Sequence, residues 1–206
     1  MVITRLTQGK KRADRANVYL DEQFAFAVSF DVLLKWGLKK GLELSEEQVT
    51  EILGEDQISR AFDKAVNFLS YRPRSKKEVK DKLTSLDFAG FVVEHTLNKL
   101  ENLELINDNE FAALWIQNRL TLKPKGKKAL GLELKSKGIS QTVIDTVLGT
   151  ISTQEELEQA KSLVAKRRFE SLSTEKREEK IKNFLLRRGY GWDIVKQVLK
   201  HLKKDI

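Results

Sequence analysis

The stretch Arg72-Pro73-Arg74-Ser75-Lys76-Lys77-Glu78-Val79, continuing to Leu83, returns fifty-one residues later as Lys123-Pro124-Lys125-Gly126-Lys127-Lys128-Ala129-Leu130, continuing to Leu134. The register holds well beyond this turn. Leu83, Asp87, Val92, Leu97 and Leu100 recur as Leu134, Gly138, Val143, Leu148 and Ile151, and again as Leu185, Gly189, Ile194, Leu199 and Leu202. Leu69 precedes the first turn as Leu120 precedes the second. The third copy is looser there, with Thr174, Glu175, Lys176 and Ile181 standing where the second has Lys123, Pro124, Lys125 and Leu130. One period kept through so many positions marks an internal repeat.

Fifty-one residues accommodate three helices of roughly 10–14 residues with short connections. Each unit reads as a first helix, such as Ala61–Ser70, then a proline-marked turn, a second helix, a stop, and a third helix. Ser75 and Glu78 form a capping box for the second helix of the first unit. Gly138 and Gly189 sit where a helix ends in the left-handed conformation, which glycine adopts without steric cost. Asp87 at the matching place is a weaker stop. The expected fold is therefore mainly α: three tandem three-helix repeats, helix-turn-helix-like, in an elongated array in which each unit packs on its neighbours.

The N-terminal residues follow another pattern. Val2, Ile3 and Leu6, then Val18, Tyr19 and Leu20, then Phe24, Phe26, Val28 and Phe30 are short β-favouring runs, the last alternating with period two. Asp21-Glu22 suits a tight hairpin turn, and Gly9 with Lys10-Lys11 suits the loop before it. A small β-meander of two or three strands is expected, covered by a short helix through Val32–Leu38, because so small a sheet is not stable alone. Trp36 should pack that helix onto the strands. From Ser45, which forms a capping box with Gln48, the period becomes helical. The expected division is 1–58 for the strand-bearing extension with its linking helix, then repeats at 59–107, 108–152 and 153–206.

Composition bounds the function. The 206 residues are 40% apolar and 33% charged, with two prolines and no cysteine, so a packed core is expected and disulfides and thiolate metal sites are excluded. No apolar run is long enough for a membrane span or a signal segment, and a cytoplasmic protein is expected. The net charge of +8 is uneven: −2 over 1–58, +2 over 59–107, +3 over 108–152 and +5 over 153–206. A polyanion is the natural partner of such a field.

No catalytic constellation emerges, so the protein is expected not to be an enzyme and to need no cofactor or metal. His95 and His201 have no ligand or nucleophile at useful spacing, and His95 reads as a half-buried spacer in an apolar pattern. Gly126-Lys127-Lys128 lacks the other parts of a phosphate loop. The acid pairs Glu46-Glu47 and Glu155-Glu156 sit at helix starts, where they favour the dipole. The basic clusters are more telling. Arg72, Arg74, Lys76 and Lys77 share their register with Lys123, Lys125, Lys127 and Lys128. Cations at a helix start do nothing for that helix, so a basic stripe for phosphate or carboxylate contacts is the functional reading, and a solvated charge run the alternative. Unit three carries its charge at Lys166, Arg167, Arg168, Arg187 and Arg188. Trp192, at a helix start, is expected in the core, as are Trp115, Phe111 and Leu114.

Four segments resemble the RecX family of recombination regulators. They are Arg72 through Val79 to Lys82-Leu83; Leu105-Ile106-Asn107-Asp108-Asn109-Glu110-Phe111-Ala112 with Arg119; Lys125-Gly126 with Leu130, Leu134 and Lys137-Gly138-Ile139; and Leu185 through Gly189-Tyr190 with Trp192-Asp193. Together they span residues 59–203, and the first 58 residues resemble a strand-bearing extension of some family members. The resemblance implies a modulator that binds along the RecA–single-stranded DNA filament and suppresses its ATP hydrolysis, strand exchange and coprotease activity. Arg119 joins the candidate contact residues on this ground. The partner implied is the RecA filament; single- or double-stranded DNA is a further candidate, a membrane is not, and a monomer is expected. The rival reading is a direct DNA-binding helical repeat protein.

Overall fold

The computed structural model describes residues 1–9, 13–167, 169 and 174–204. They fall into two compact units, one formed by Met1–Pro73 with Val79–Leu105, the other by Arg74–Glu78 with Ile106–Ile206.

The first unit opens with an antiparallel sheet of β1 (Ile3–Gln8), β2 (Arg15–Leu20) and β3 (Gln23–Ser29), in that spatial order. Leu20 pairs with Gln23, so Asp21 and Glu22 alone make the turn, with φ of 48° and 70°. Two successive positive φ values match the strands' right-handed twist. The loop expected at Lys10-Lys11 lies outside the described residues. Alternation puts Val18, Leu20, Phe26 and Val28 on one face, where Val32 of α1 (Phe30–Lys35) and Ile52 of α2 (Glu46–Leu69) cover them. Trp36 packs against this cluster and donates its indole N–H to Glu55 at 3.0 Å. Asp56 of α2 fastens the sheet, taking Arg15 at 2.8 Å and the Ser29 amide at 2.8 Å.

Ser45 and Gln48 form the expected capping box at the start of α2. This helix then runs unbroken to Leu69, so the boundary expected at residue 58 falls inside it, and the linking helix and the first helix of repeat one are a single 24-residue element. Its only interior glycine, Gly54, costs about 1 kcal/mol relative to alanine and does not break the helix. Repeat one continues with α3 (Lys76–Thr84) and α4 (Gly90–Asn102), where Val79, Leu83, Val92, Leu97 and Leu100 are fully buried. Asp87 is a true stop: its φ is +61°, and Phe88 donates to Leu83 O across it. His95 is exposed rather than half-buried.

In the second unit, α5 (Asp108–Leu122), α6 (Lys127–Ser136) and α7 (Gln141–Gly149) make repeat two, and α8 (Thr153–Ala165), α9 (Thr174–Arg187) and α10 (Trp192–Lys204) make repeat three. Phe111, Ile116, Leu130, Leu134, Ile139 and Ile144 form one core; Leu157, Val164, Ile181, Leu185, Tyr190 and Ile194 are among those that form the other. Gly138 and Gly189 both have φ of +81°, and Ile139 and Tyr190 donate to Leu134 O and Leu185 O. The three stops therefore share one geometry at one period. Two aromatic or apolar expectations change. Leu114 faces outward at 44% exposure, and Trp192 is 45% exposed with Lys196 beside its ring.

Candidate functional site: the basic turns

The turn before each second helix ends on a helix N-terminus, where amide groups lack internal partners. In the second unit the starts of α3 and α6 are each met by the C-terminal end of the next repeat's second helix. Gly126 N–H donates to Arg188 O at 2.9 Å, and Lys128 N–H to Gly189 O at 3.2 Å. At the preceding joint Ser75, the register mate of Gly126, uses its hydroxyl to donate to Lys137 O at 2.7 Å. A carboxylate from the next repeat's first helix completes each joint. Asp108 accepts from the Lys76 amide at 2.8 Å, and Glu156 from the Lys127 amide at 3.0 Å. Orphan donors of one helix and orphan carbonyls of another thus satisfy each other, with an acid at the positive end of the dipole.

The approach is close enough to dictate residue type. A Cβ on Gly126 would collide with the Gly189 carbonyl, and one on Gly189 with the Ala129 backbone. A Cβ on Gly138 would lie 2.6 Å from Lys77 Cβ. Tyr190, one residue past the stop, is sealed beneath this joint. Burial, then the nearby Glu156 charge, push its hydroxyl up to about 12.

These joints sort the candidate cations. In each cluster the outer residues, Arg72 and Lys77 or Lys123 and Lys128, are exposed, while the inner ones, Arg74 and Lys76 or Lys125 and Lys127, are half-buried. Lys77 Nζ also reaches Ser136 O at 3.3 Å, a carbonyl at the end of α6. Lys125 pairs with Glu133, which also takes Arg119 at 2.7 Å and the Trp115 indole N–H at 2.8 Å. Burial alone would raise the Glu133 carboxyl; the hydrogen bonds from Lys125, Arg119 and Trp115 outweigh it and hold it below the ordinary carboxylate value. Arg119 and Lys137 also lie over the Trp115 ring, at 4.5 and 5.1 Å from its centroid. Lys137 Nζ meets Glu78 at 2.7 Å.

In repeat three, Arg188 donates to Pro124 O at 3.1 Å and lies over Phe184, as does Arg167. Lys166 and Arg187 are exposed, and Arg168 lies outside the described residues. The sequence reading gave no role at a joint to Glu133, Asp108, Glu156 or Gly126. Asp108 and Gly126 stood only within the family-like segments, and Glu156 as half of an acid pair; Glu155 closes the capping box of its own helix, and Glu156 serves the neighbour's.

Among the described residues no group of three His, Asp or Glu is placed to hold a metal, and no helix is long and apolar enough to cross a membrane. Among the described residues, a cavity of about 650 Å³ in repeat three is lined by Lys161, Arg167, Arg177 and His201 with one acid, Glu158, which Lys161 engages at 2.9 Å.

Comparison with known proteins places this arrangement in a family. Residues 1–45 match the regulatory protein RecX N-terminal domain, and residues 61–100, 107–148 and 154–199 match the first, second and third three-helix domains of RecX. The chain is 36% identical over 205 residues to a regulatory protein RecX of Bacillus velezensis, covering 98% of this chain and 78% of that one. Identity to the Bacillus subtilis regulatory protein RecX is 33%, with the same coverage. A crystal structure of a regulatory protein RecX superposes with a TM-score of 0.80 at 31% identity, covering 96% of this chain and 98% of the other. RecX from Lactobacillus salivarius gives 0.68 at 33%, covering 72% and 98%.

Proposed function

The chain belongs to the RecX family of regulatory proteins, and from that membership we propose that it binds the RecA–single-stranded DNA filament in the cytoplasm and inhibits RecA's recombinase, ATPase and coprotease activities, with no chemistry of its own. The observation that supports this is the sorting of the basic turns. Arg72 and Lys77 in repeat one, and Lys123 and Lys128 in repeat two, are exposed at the same register. Among the inner cations Lys125 is held by Glu133, whereas the outer side chains stand exposed, where an acidic partner surface or a phosphate backbone can reach them. Several such contacts, each weak, add through avidity on a partner made of repeated protomers.

The test is RecA ATP hydrolysis on single-stranded DNA with the chain in molar excess over filament sites. Inhibition is expected, and an unchanged rate refutes the reading. Arg72→Glu and Lys123→Glu should each weaken filament binding by about tenfold and flatten its salt dependence, with little change in melting temperature. Lys125→Glu should instead lose folding stability, because it sets two carboxylates against each other at Glu133.

A further inference from the structure

Singly exposed apolar side chains are ordinary. Two in this chain are not scattered. Tyr71 is 77% exposed and Leu122 is 74% exposed, the highest values for large apolar side chains among the described residues. They stand fifty-one residues apart, so each occupies the same place in its repeat, at the exit of the first helix. Each is followed by an exposed cation, Arg72 or Lys123, and then by a proline, Pro73 or Pro124. The third-repeat position, 173, lies outside the described residues. Proline fixes its own φ and restrains the backbone of the residue before it, so the cation beside each apolar side chain is held in a narrow range of conformations.

From this pairing we infer that Tyr71 and Leu122 are docking anchors, each inserting into an apolar pocket edged by carboxylates on a protein partner that presents the same pocket on successive copies of itself. The chemistry decides between partner classes. Stacking on nucleic-acid bases needs a π-face, which Leu122 lacks; filling an apolar pocket suits tyrosine and leucine alike. The adjacent Arg72 or Lys123 supplies the charge that a carboxylate rim would meet. Two anchors at one register suit a homopolymer. The inference deepens the proposed function, in which the RecA filament is that polymer.

The experiment uses the full-length chain carrying Tyr71→Ser, Leu122→Ser or both, with RecA filaments held on single-stranded DNA by a slowly hydrolysed nucleotide, and with the same DNA bare. Each single change should weaken filament binding by about tenfold and the double by roughly a hundredfold, since burying such a side chain is worth at least that factor. Melting temperatures should stay at the wild-type value, because neither side chain is packed. The salt slope should also be unchanged, unlike that of Lys123→Glu. Leu122→Tyr should bind like wild type. Wild-type affinity in the double variant overturns the anchors and leaves the proposed function standing. Equal losses on filament and bare DNA overturn the protein pocket in favour of base contacts. A wild-type chain that ignores the filament altogether overturns the proposed function, and the anchoring with it.

Discussion

Gly189 and Asp87 occupy the same register position, and replacing each should move stability in opposite directions. Both lie in the left-handed region, with φ of +81° and +61°. A Cβ in that conformation costs about 1 kcal/mol or more. For Gly189→Ala the strain is only the first part. The new methyl would collide with the backbone of Ala129, which cannot rotate aside, so the joint between the second helices of repeats two and three must open. Opening it removes the hydrogen bonds from Gly126 N–H to Arg188 O and from Lys128 N–H to Gly189 O, at about 1 kcal/mol each. The expected loss is about 3–4 kcal/mol. Asp87 is exposed and already bears its Cβ in the strained region, so Asp87→Gly should relieve strain and gain about 0.5–1 kcal/mol. Chemical denaturation followed by far-ultraviolet circular dichroism measures both. Amide hydrogen exchange localises the first, since Gly126 and Lys128 should lose protection ahead of the repeat cores. A Gly189→Ala protein within 1 kcal/mol of wild type, with those two amides still protected, refutes the close joint.

Glu133→Gln should cost about 1–2 kcal/mol, a charge-assisted network discounted for its partial exposure. Because the Glu133 carboxyl is held below its ordinary value of 4.5, its stabilisation is complete above that value and is lost as pH falls through the lower, folded-state value. The variant should accordingly lose less stability than wild type across that acid window, measured as melting temperature against pH. In the first unit, Asp56→Ala strands Arg15, whose side chain is only 12% exposed, and the Ser29 amide; a loss of about 3–5 kcal/mol is expected in urea denaturation, and a loss under 1 kcal/mol contradicts the fastening role.

Local devices were legible in the sequence because each involves residues a few positions apart. The capping boxes at Ser45 and Ser75, the Asp21-Glu22 turn and the alternating strand face all form as their spacing predicts. The fifty-one-residue period was legible because it needs only counting. Three features were not. Asp87 reads as a weak stop by propensity, yet the buried Leu83 and the hydrogen bond closing on it hold the left-handed turn. Trp192 and Leu114 read as core by residue type; their faces are set by which side of a helix meets its neighbours, and the period alone does not say. The third is the joint. Ser75 meets Lys137, and Gly126 meets Arg188, 62 residues further along the chain in each case. No local pattern announces a contact at that separation.

The joint also changes the argument from charge that made the basic turns conspicuous. Cations at a helix start oppose that helix's own dipole, which suggested that folding had no use for them. The start of one second helix, however, lies against the end of the next, where unpaired carbonyls favour positive charge. Lys77 Nζ on Ser136 O is a contact of that kind, so the penalty at one terminus is offset at the other. Lys125 goes further and is held by Glu133 in a half-buried network. Folding therefore does ask for part of each cluster, and a charge change there alters stability and binding at once. Under the proposed function the contact is expected at Arg72, Lys123 and Lys128, which are exposed. If reversing Lys123 and reversing Lys125 lowered filament affinity equally, with equal melting temperatures, the division into joint and contact cations would be wrong.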